Sequence, residues 1–139
     1  MPIRKLMTTL PREYLNKEDY MSAFAMASAD LESILFQKLL FEKAIKAELM
    51  ENWSLSTFIR WSIKLELIET KWETLLNDFR KLRNKVIHGR GFLAALVKEP
   101  DKLKSAQELL ISVCNFIDQV EVVYRSRELD SDYSKSKKN

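Results

Sequence analysis

Apolar residues recur every three or four positions along most of the chain, the spacing expected of one face of an α-helix. Residues 17–49 contain neither glycine nor proline and are rich in alanine, leucine, glutamate and lysine. Their apolar positions at helical spacing are Phe24, Ala27, Leu31, Ile34 and Leu35. The pattern predicts a long first helix over this segment.

Residues 53–69 show the same spacing at Phe58, Trp61, Leu65 and Ile68 and predict a second helix. Ser54 or Ser56 would cap its amino terminus, because a serine hydroxyl accepts a hydrogen bond from an open amide of the first turn.

Residues 70–89 predict a third helix. Thr70 and Glu73 have the spacing of a capping box, in which each side chain binds a free amide near the other. Gly89 would end the helix.

The last helix is predicted to begin near Pro100, since proline is tolerated in a first helical turn. Its apolar positions alternate in steps of three and four, as in a bundle seam, at Leu103, Ala106, Leu110, Val113, Ile117, Val120 and Tyr124. A short extra turn is predicted within "GFLAALVK", residues 91–98.

These elements predict an all-α fold, an antiparallel bundle of four main helices. We divide the chain into an N-terminal leader over 1–16, the bundle over 17–130 and a disordered, lysine-rich tail over 131–139.

Composition narrows the possible functions. The net charge of +3 permits an acidic partner such as nucleic acid without requiring one. No segment is apolar for long enough to suggest a signal peptide or a membrane span, so a cytoplasmic protein is expected. The single cysteine, Cys114, excludes an internal disulfide and lies in an apolar stretch typical of a buried thiol. No metal or cofactor motif is present, and none is expected.

The segment "RKLRNKVIHGR", Arg80–Arg90, stands out because it holds five basic residues, the only histidine and no acid. On a helical wheel, the apolar residues of the third helix form one stripe around the direction of Trp72, namely Leu75, Leu76, Phe79, Leu82, Val86 and Ile87. Arg83 lies about 20° from Trp72, near the middle of this stripe. A cation at such a position is costly unless it is paired or faces a wet cleft or a partner chain.

Asn84 and His88 are one helical turn apart, so their side chains can meet. Arg83 and His88 diverge by about 140° on a straight helix. A two-fold dimer, or unwinding of the helix near Gly89, would allow Arg83 and His88 to contact the same atom of a bound ligand.

Arg83-Asn84 followed by His88 and Gly89, near the end of the third helix of a bundle, resembles the R-x4-6-H signature of the HEPN superfamily, nucleotide-binding domains of higher eukaryotes and prokaryotes. The surrounding helices also resemble a prokaryotic HEPN-like group that includes the mannitol operon repressor, which has an "LRxxRNxxxH" helix. The likeness covers roughly residues 20–125 in helix pattern, but only Arg83–Gly89 carries a motif.

The resemblance implies a metal-independent endoribonuclease that acts as a homodimer in defence or toxin–antitoxin regulation, with a possible protein antitoxin. The RNA 2′-hydroxyl attacks the adjacent phosphate and leaves a 2′,3′-cyclic phosphate. Arg83 would stabilise the charge on phosphorus, Asn84 would orient the reacting groups, and His88 would act as general acid or base.

Further residues acquire expected roles from this resemblance. Asp30 or Glu32 on the first helix would support Arg83. Four basic residues would add a positive field for the RNA backbone, namely Arg80, Lys81, Lys85 and Arg90. Many toxins of the superfamily carry a tyrosine two residues after the histidine, whereas this chain has Arg90, so regulation through that tyrosine is not expected.

Other interpretations remain open at the level of sequence. His88 can simply interact with the carbonyl groups at a helix end. Arg83 can hold the bundle together through a carboxylate of the first helix. The whole domain can then be a non-catalytic HEPN-like regulatory module acting through protein partners, or a binder of RNA or nucleotides.

Overall fold

The computed structural model describes the backbone of residues 7–136 and the side chains of residues 7–120. Within this part of the chain all regular structure is helical, which confirms the predicted all-α class. The seven α-helices are α1 Thr9–Asn16, α2 Tyr20–Glu42, α3 Ala47–Met50, α4 Leu55–Lys64, α5 Glu73–His88, α6 Phe92–Val97 and α7 Pro100–Ser136. None of the described helices combines the length and the apolar character needed to cross a bilayer.

Helix α2 forms the centre of the core. All five apolar positions predicted for it are buried. It contacts α1, α4, α5 and α7. The Phe24 ring stacks on that of Phe79 in α5, with centroids 5.8 Å apart. A helix with neighbours on several sides needs apolar residues on more than one face, as α2 has.

Helix α2 ends before the predicted limit, at Glu42, and residues Ala47–Met50 form the separate helix α3. The break lies at Ala44, whose φ of 53° is in the left-handed region. The Ile45 amide donates to the Leu39 carbonyl at 3.2 Å across this turn. Glycine normally occupies such a position, so the sequence carries no signal for this helix end.

Helix α4 is also shorter than predicted. Its N-cap is Ser54, as expected, and the Ser54 hydroxyl accepts from the Thr57 amide at 3.3 Å. The helix ends at Lys64, and Glu66 with a φ of 59° turns the chain away.

The predicted capping box between Thr70 and Glu73 is wrong. Residues Thr70–Trp72 form a 3₁₀ turn, and neither this turn nor α5 has a side-chain cap. The Trp72 amide donates to the Glu69 carbonyl at 3.1 Å, so the backbone itself satisfies that donor.

The short helix α6 lies in the predicted segment 91–98. The seam of α7 is confirmed at its described positions, with Ala106, Leu110, Val113 and Ile117 buried. The Tyr124 side chain lies outside the described residues.

The predicted tail boundary at residue 131 does not coincide with the end of α7. The helix continues through Ser136, because no glycine or proline interrupts the sequence after Pro100. Residues 137–139 of the predicted tail lie outside the described residues.

The N-terminal leader contributes to the folded domain, which the sequence did not predict. Helix α1 packs against α2 and α7, and Thr8 just before it is fully buried. The Thr8 amide and hydroxyl donate to the two carboxylate oxygens of Asp118 at 3.1 and 2.5 Å. Arg12 adds an ion pair to Asp118 at 3.1 Å. This cluster attaches α1 to α7.

We expect Thr8→Val to lower the free energy of unfolding by about 2 kcal/mol, because valine keeps the shape but leaves a buried carboxylate short of a donor. Thr8→Ser keeps the hydroxyl and loses one methyl group, at a cost of about 1 kcal/mol. Urea unfolding monitored by circular dichroism measures both values. Equal losses in the two variants would show that the hydroxyl contributes nothing.

We expect Ala44→Gly to raise the free energy of unfolding by about 0.5–1 kcal/mol, because glycine adopts a positive φ without steric strain. Ala47→Gly is the matched control. Ala47 begins α3, so there the same substitution should lower stability by a similar amount. Thermal unfolding of the two variants side by side tests the sign, and a loss of stability in both would contradict the assignment of strain to Ala44.

Candidate functional site

The apolar stripe predicted for the third helix faces the core. Leu76, Phe79 and Val86 of α5 are buried, and α5 packs against α2, α4 and α7. This packing fixes the rotation of α5 about its axis. The rotation in turn determines where the polar residues of the Arg80–Arg90 segment lie.

Arg83 is half-buried on α5, in keeping with its predicted place in the apolar stripe. Its Nε atom is buried and has no hydrogen-bond partner among the described residues. A buried donor without an acceptor costs about 1–3 kcal/mol, and more when the group is charged. The guanidinium therefore retains an unused N–H on the core side of the segment.

His88, in contrast to Arg83, is exposed. It is the last residue of α5, and its side chain is exposed to solvent. Asn84, one turn earlier, is half-buried.

Gly89 caps the helix after His88, as predicted, and its amide donates to the Lys85 carbonyl at 2.9 Å. Its φ is −81°, so conformation alone does not require glycine. A Cβ atom at residue 89 would lie 2.5 Å from that carbonyl oxygen, so close approach accounts for the glycine.

A shallow cleft of about 330 Å³ borders His88. Met21 of α2, Ile87 and Leu93 supply apolar walls, and Arg90 supplies a second polar group beside His88. Arg83 and Asn84 do not line this cleft. Of the three predicted catalytic residues, His88 is therefore the one that lines this cleft.

The remaining basic residues form a positive surface along α5. Lys81, Lys85 and Arg90 are exposed, whereas Arg80 is half-buried and its Nε donates to Asn77 Oδ1 at 3.4 Å. Within the described side chains none of the four forms an ion pair with an acid. Their charge is therefore available to an anionic partner.

The two acids predicted to support Arg83, Asp30 and Glu32, are both half-buried on α2. Neither Asp30 nor Glu32 forms an ion pair with Arg83 among the described residues. Glu32 borders a separate cavity beside Met50 and Phe58.

Asp30 interacts electrostatically with Asp118 of α7. Burial, and then the nearby negative charge of Asp118, raise the pKa of Asp30 to about 6. Its Oδ2 atom is buried without a hydrogen-bond partner among the described residues.

The sequence missed the polar cluster on α1 and α7. Arg12 donates from Nε to Thr8 Oγ1 at 2.9 Å, and from its terminal nitrogen to Asn115 Oδ1 at 2.8 Å and Asp118 Oδ2 at 3.1 Å. The sequence did contain one signal of this cluster. Asp118 follows Cys114 by four residues, which places a charged side chain on the same buried face of α7. Burial raises the pKa of the Cys114 thiol to about 11, which makes it unreactive at neutral pH.

A metal centre has no support in the described part of the chain. No group of three or more histidine, cysteine, aspartate or glutamate side chains there has the arrangement needed to hold an ion.

We expect Asp30→Asn to be more stable than the wild type at neutral and alkaline pH. The folded pKa of about 6 lies above the unfolded value of 3.8, so the unfolded chain releases this proton first. Below about pH 4 Asp30 is protonated in both states, so its ionisation does not affect the free energy of unfolding. As the pH rises from about 4 to about 6, that free energy falls, and above this range the loss stays constant. Discounted for partial exposure, the gain in the variant is about 1–2 kcal/mol at about pH 8.

Urea titrations of both proteins between about pH 4 and pH 8 measure this difference, and other groups cancel in the comparison. The ionisable groups that interact with Asp30 are Asp118 and Cys114, and both are the same in the two proteins. A difference in stability that does not vary with pH would contradict the raised pKa.

The chain matches no family model, and the comparisons with curated proteins and with solved structures give no match either. The HEPN resemblance therefore rests on the segment Arg83–Gly89 and its place at the end of α5.

Proposed function

We propose that the protein is a metal-independent endoribonuclease of the HEPN type that acts as a homodimer. The observation that carries the proposal is the buried Arg83 Nε, which has no hydrogen-bond partner among the described residues, on the helix that ends in the exposed His88. A structural arginine would be expected to use its donors within the fold. An arginine with an unused N–H, near basic side chains that form no ion pair among the described residues, suits a phosphate group.

The proposed reaction needs one group that removes a proton and one that supplies it. Neutral His88 of one protomer takes the proton of the RNA 2′-hydroxyl, and the 2′-oxygen attacks the adjacent phosphorus. The bond from phosphorus to the 5′-oxygen breaks, and protonated His88 of the other protomer gives that oxygen a proton. The products are a 2′,3′-cyclic phosphate and a 5′-hydroxyl. Each proton transfer can contribute about 10²–10⁴-fold to the rate.

Arg83 and Asn84 complete the proposed site. The phosphorane carries more negative charge than the starting diester, so a guanidinium stabilises it preferentially. The Asn84 amide lies one turn before His88 and is within reach to orient its ring.

The geometry of α5 favours a homodimer. On an ideal straight helix, Arg83 and His88 point about 140° apart, so a single chain would present them in different directions. A two-fold axis near the end of α5 would bring both copies of His88 into one cleft. The Met21 side chain, 47% exposed beside that cleft, offers apolar surface for such a contact.

The cellular role that fits this proposal is RNA cleavage in the cytoplasm, in defence or as a toxin held in check by a protein antitoxin. The exposed charges of Lys81, Lys85 and Arg90 would hold the RNA backbone. Binding through them would weaken steeply with added salt.

We expect purified protein to cleave labelled single-stranded RNA or tRNA in the presence of EDTA and to leave 2′,3′-cyclic phosphate ends. His88→Ala should lower the rate by about 10²–10⁴-fold, since it removes the proton transfer. Arg83→Lys should lower it by about 10²-fold or more, because an ammonium lacks the planar fork that binds a phosphoryl group.

Lys104→Ala is the control, because it removes an exposed positive charge from α7 rather than from α5. It should leave the cleavage rate within about twofold of wild type. Because the proposed reaction uses one His88 from each protomer, heterodimers of wild type with His88→Ala, formed by mixing after mild dissociation, should lose most of the activity. Sedimentation velocity of the wild type should show a dimer.

Folded wild-type protein that cleaves no RNA in this assay would refute the nuclease. Retained RNA binding would then identify a non-cleaving RNA binder. Loss of both binding and cleavage in a stable dimer would favour the regulatory module that acts through protein partners.

A further inference from the structure

A second cavity lies apart from the His88 cleft and shares no residue with it. It has a volume of about 230 Å³ and is lined by residues of α2, of the connection between α4 and α5, and of α7. Pockets for drug-sized ligands have volumes of about 300–1,000 Å³, so this cavity suits a smaller molecule.

One wall of the cavity is aromatic. Trp72 and Phe116 both line it, with ring centroids 5.1 Å apart and planes tilted by 51°. Phe116 is buried, and Ile68 beside it is buried as well. Such a surface favours a flat, apolar ring, because aromatic pairs gain from offset or tilted stacking.

A buried cation stands on another wall. Lys38 of α2 is only 8% exposed and lines the cavity. Its Nζ forms an ion pair with Glu42 Oε2 at 3.1 Å, the one partner that the described residues give it. An ammonium group has three N–H donors, so two remain for an acceptor in the cavity. Because Lys38 is largely shielded from water, its ammonium group would bind an anion more strongly than a lysine at the surface would.

The other charges around the cavity lie at its rim. Lys71 pairs with Glu69 at 3.4 Å, and both side chains are largely exposed. Lys71 Nζ also lies 5.2 Å from the centroid of the Trp72 ring. Because this pair is well solvated whereas Lys38 is buried, Lys38 dominates recognition inside the cavity.

From these contacts we infer that the cavity binds a small aromatic carboxylate, with its ring against Trp72 and Phe116 and its carboxylate on Lys38. Binding at this site does not depend on the proposed ribonuclease activity. It gives the domain a binding function of its own.

The indole N–H signals of the three tryptophans provide the test by NMR. Trp72 lines the cavity, whereas Trp53 and Trp61 stack on each other with centroids 6.2 Å apart and do not line it. Indole-3-carboxylate is the probe, and indole-3-carboxamide is its neutral match in shape. Trp72→Phe assigns the signal.

We expect the acid to shift the Trp72 signal saturably and to leave Trp53 and Trp61 unchanged. The amide should bind at least about tenfold more weakly, because it lacks the charge that Lys38 recognises. Lys38→Met should reduce the affinity for the acid to that for the amide. Lys71→Met should change it by less than about threefold, because an exposed lysine contributes little.

Three results would overturn the inference. One is the absence of saturation up to about 10 mM acid, which corresponds to negligible affinity. Another is equal affinity for the acid and the amide, and the third is unchanged binding by folded Lys38→Met. Because Lys38→Met removes one partner of Glu42, the double variant Lys38→Met with Glu42→Gln removes the ion pair as a whole. If neither variant folds, the comparison of acid with amide on wild-type protein still decides.

Discussion

Packing against α2 organises the molecule and, through α5, its candidate site. Four helices contact α2, and the stacked rings of Phe24 and Phe79 join it to α5. Residues of one helix share a rigid frame, so burying Phe79 also sets the directions of Arg83 and His88. Arg83 is thereby drawn into the half-buried layer while His88 reaches solvent. The two residues are separated by the same packing that makes the fold stable.

The two acids between α2 and α7, Asp30 half-buried and Asp118 buried, show how hydrogen bonding decides the stability of a charged group. Asp118 accepts from the Thr8 amide, the Thr8 hydroxyl and Arg12, so the fold compensates its ionised form. Asp30 has one buried carboxylate oxygen with no hydrogen-bond partner among the described residues, and the charge of Asp118 acts on it unfavourably. Placing one acid in a saturated network therefore makes ionisation harder for its neighbour.

Hydrophobic spacing predicted the main helices and their buried faces, because burial of an apolar stripe is the strongest signal in a sequence of this class. It also placed Arg83 in the half-buried layer. The ends of α2 and α4 were missed, since Ala44 and Glu66 take left-handed conformations that usually belong to glycine. Helix α1 was missed because it is held by packing against α2 and α7 and by hydrogen bonds to the distant Asp118, and no local pattern encodes such contacts. Likewise, nothing in the sequence aligned Lys38 with Trp72 and Phe116 around one cavity.

The bond between Thr8 and Asp118 joins positions 110 residues apart, which has a consequence for synthesis on the ribosome. Helix α1 is the first described helix to be translated. It cannot be fastened to α7 until residue 118 has been added and has left the exit tunnel. At about 5–20 residues per second, that delay lasts several seconds or more. The contact between α1 and α7 therefore forms late, although α1 is the first described helix to be made. Until residue 118 leaves the tunnel, the side of α1 that packs on α7 stays uncovered by that helix.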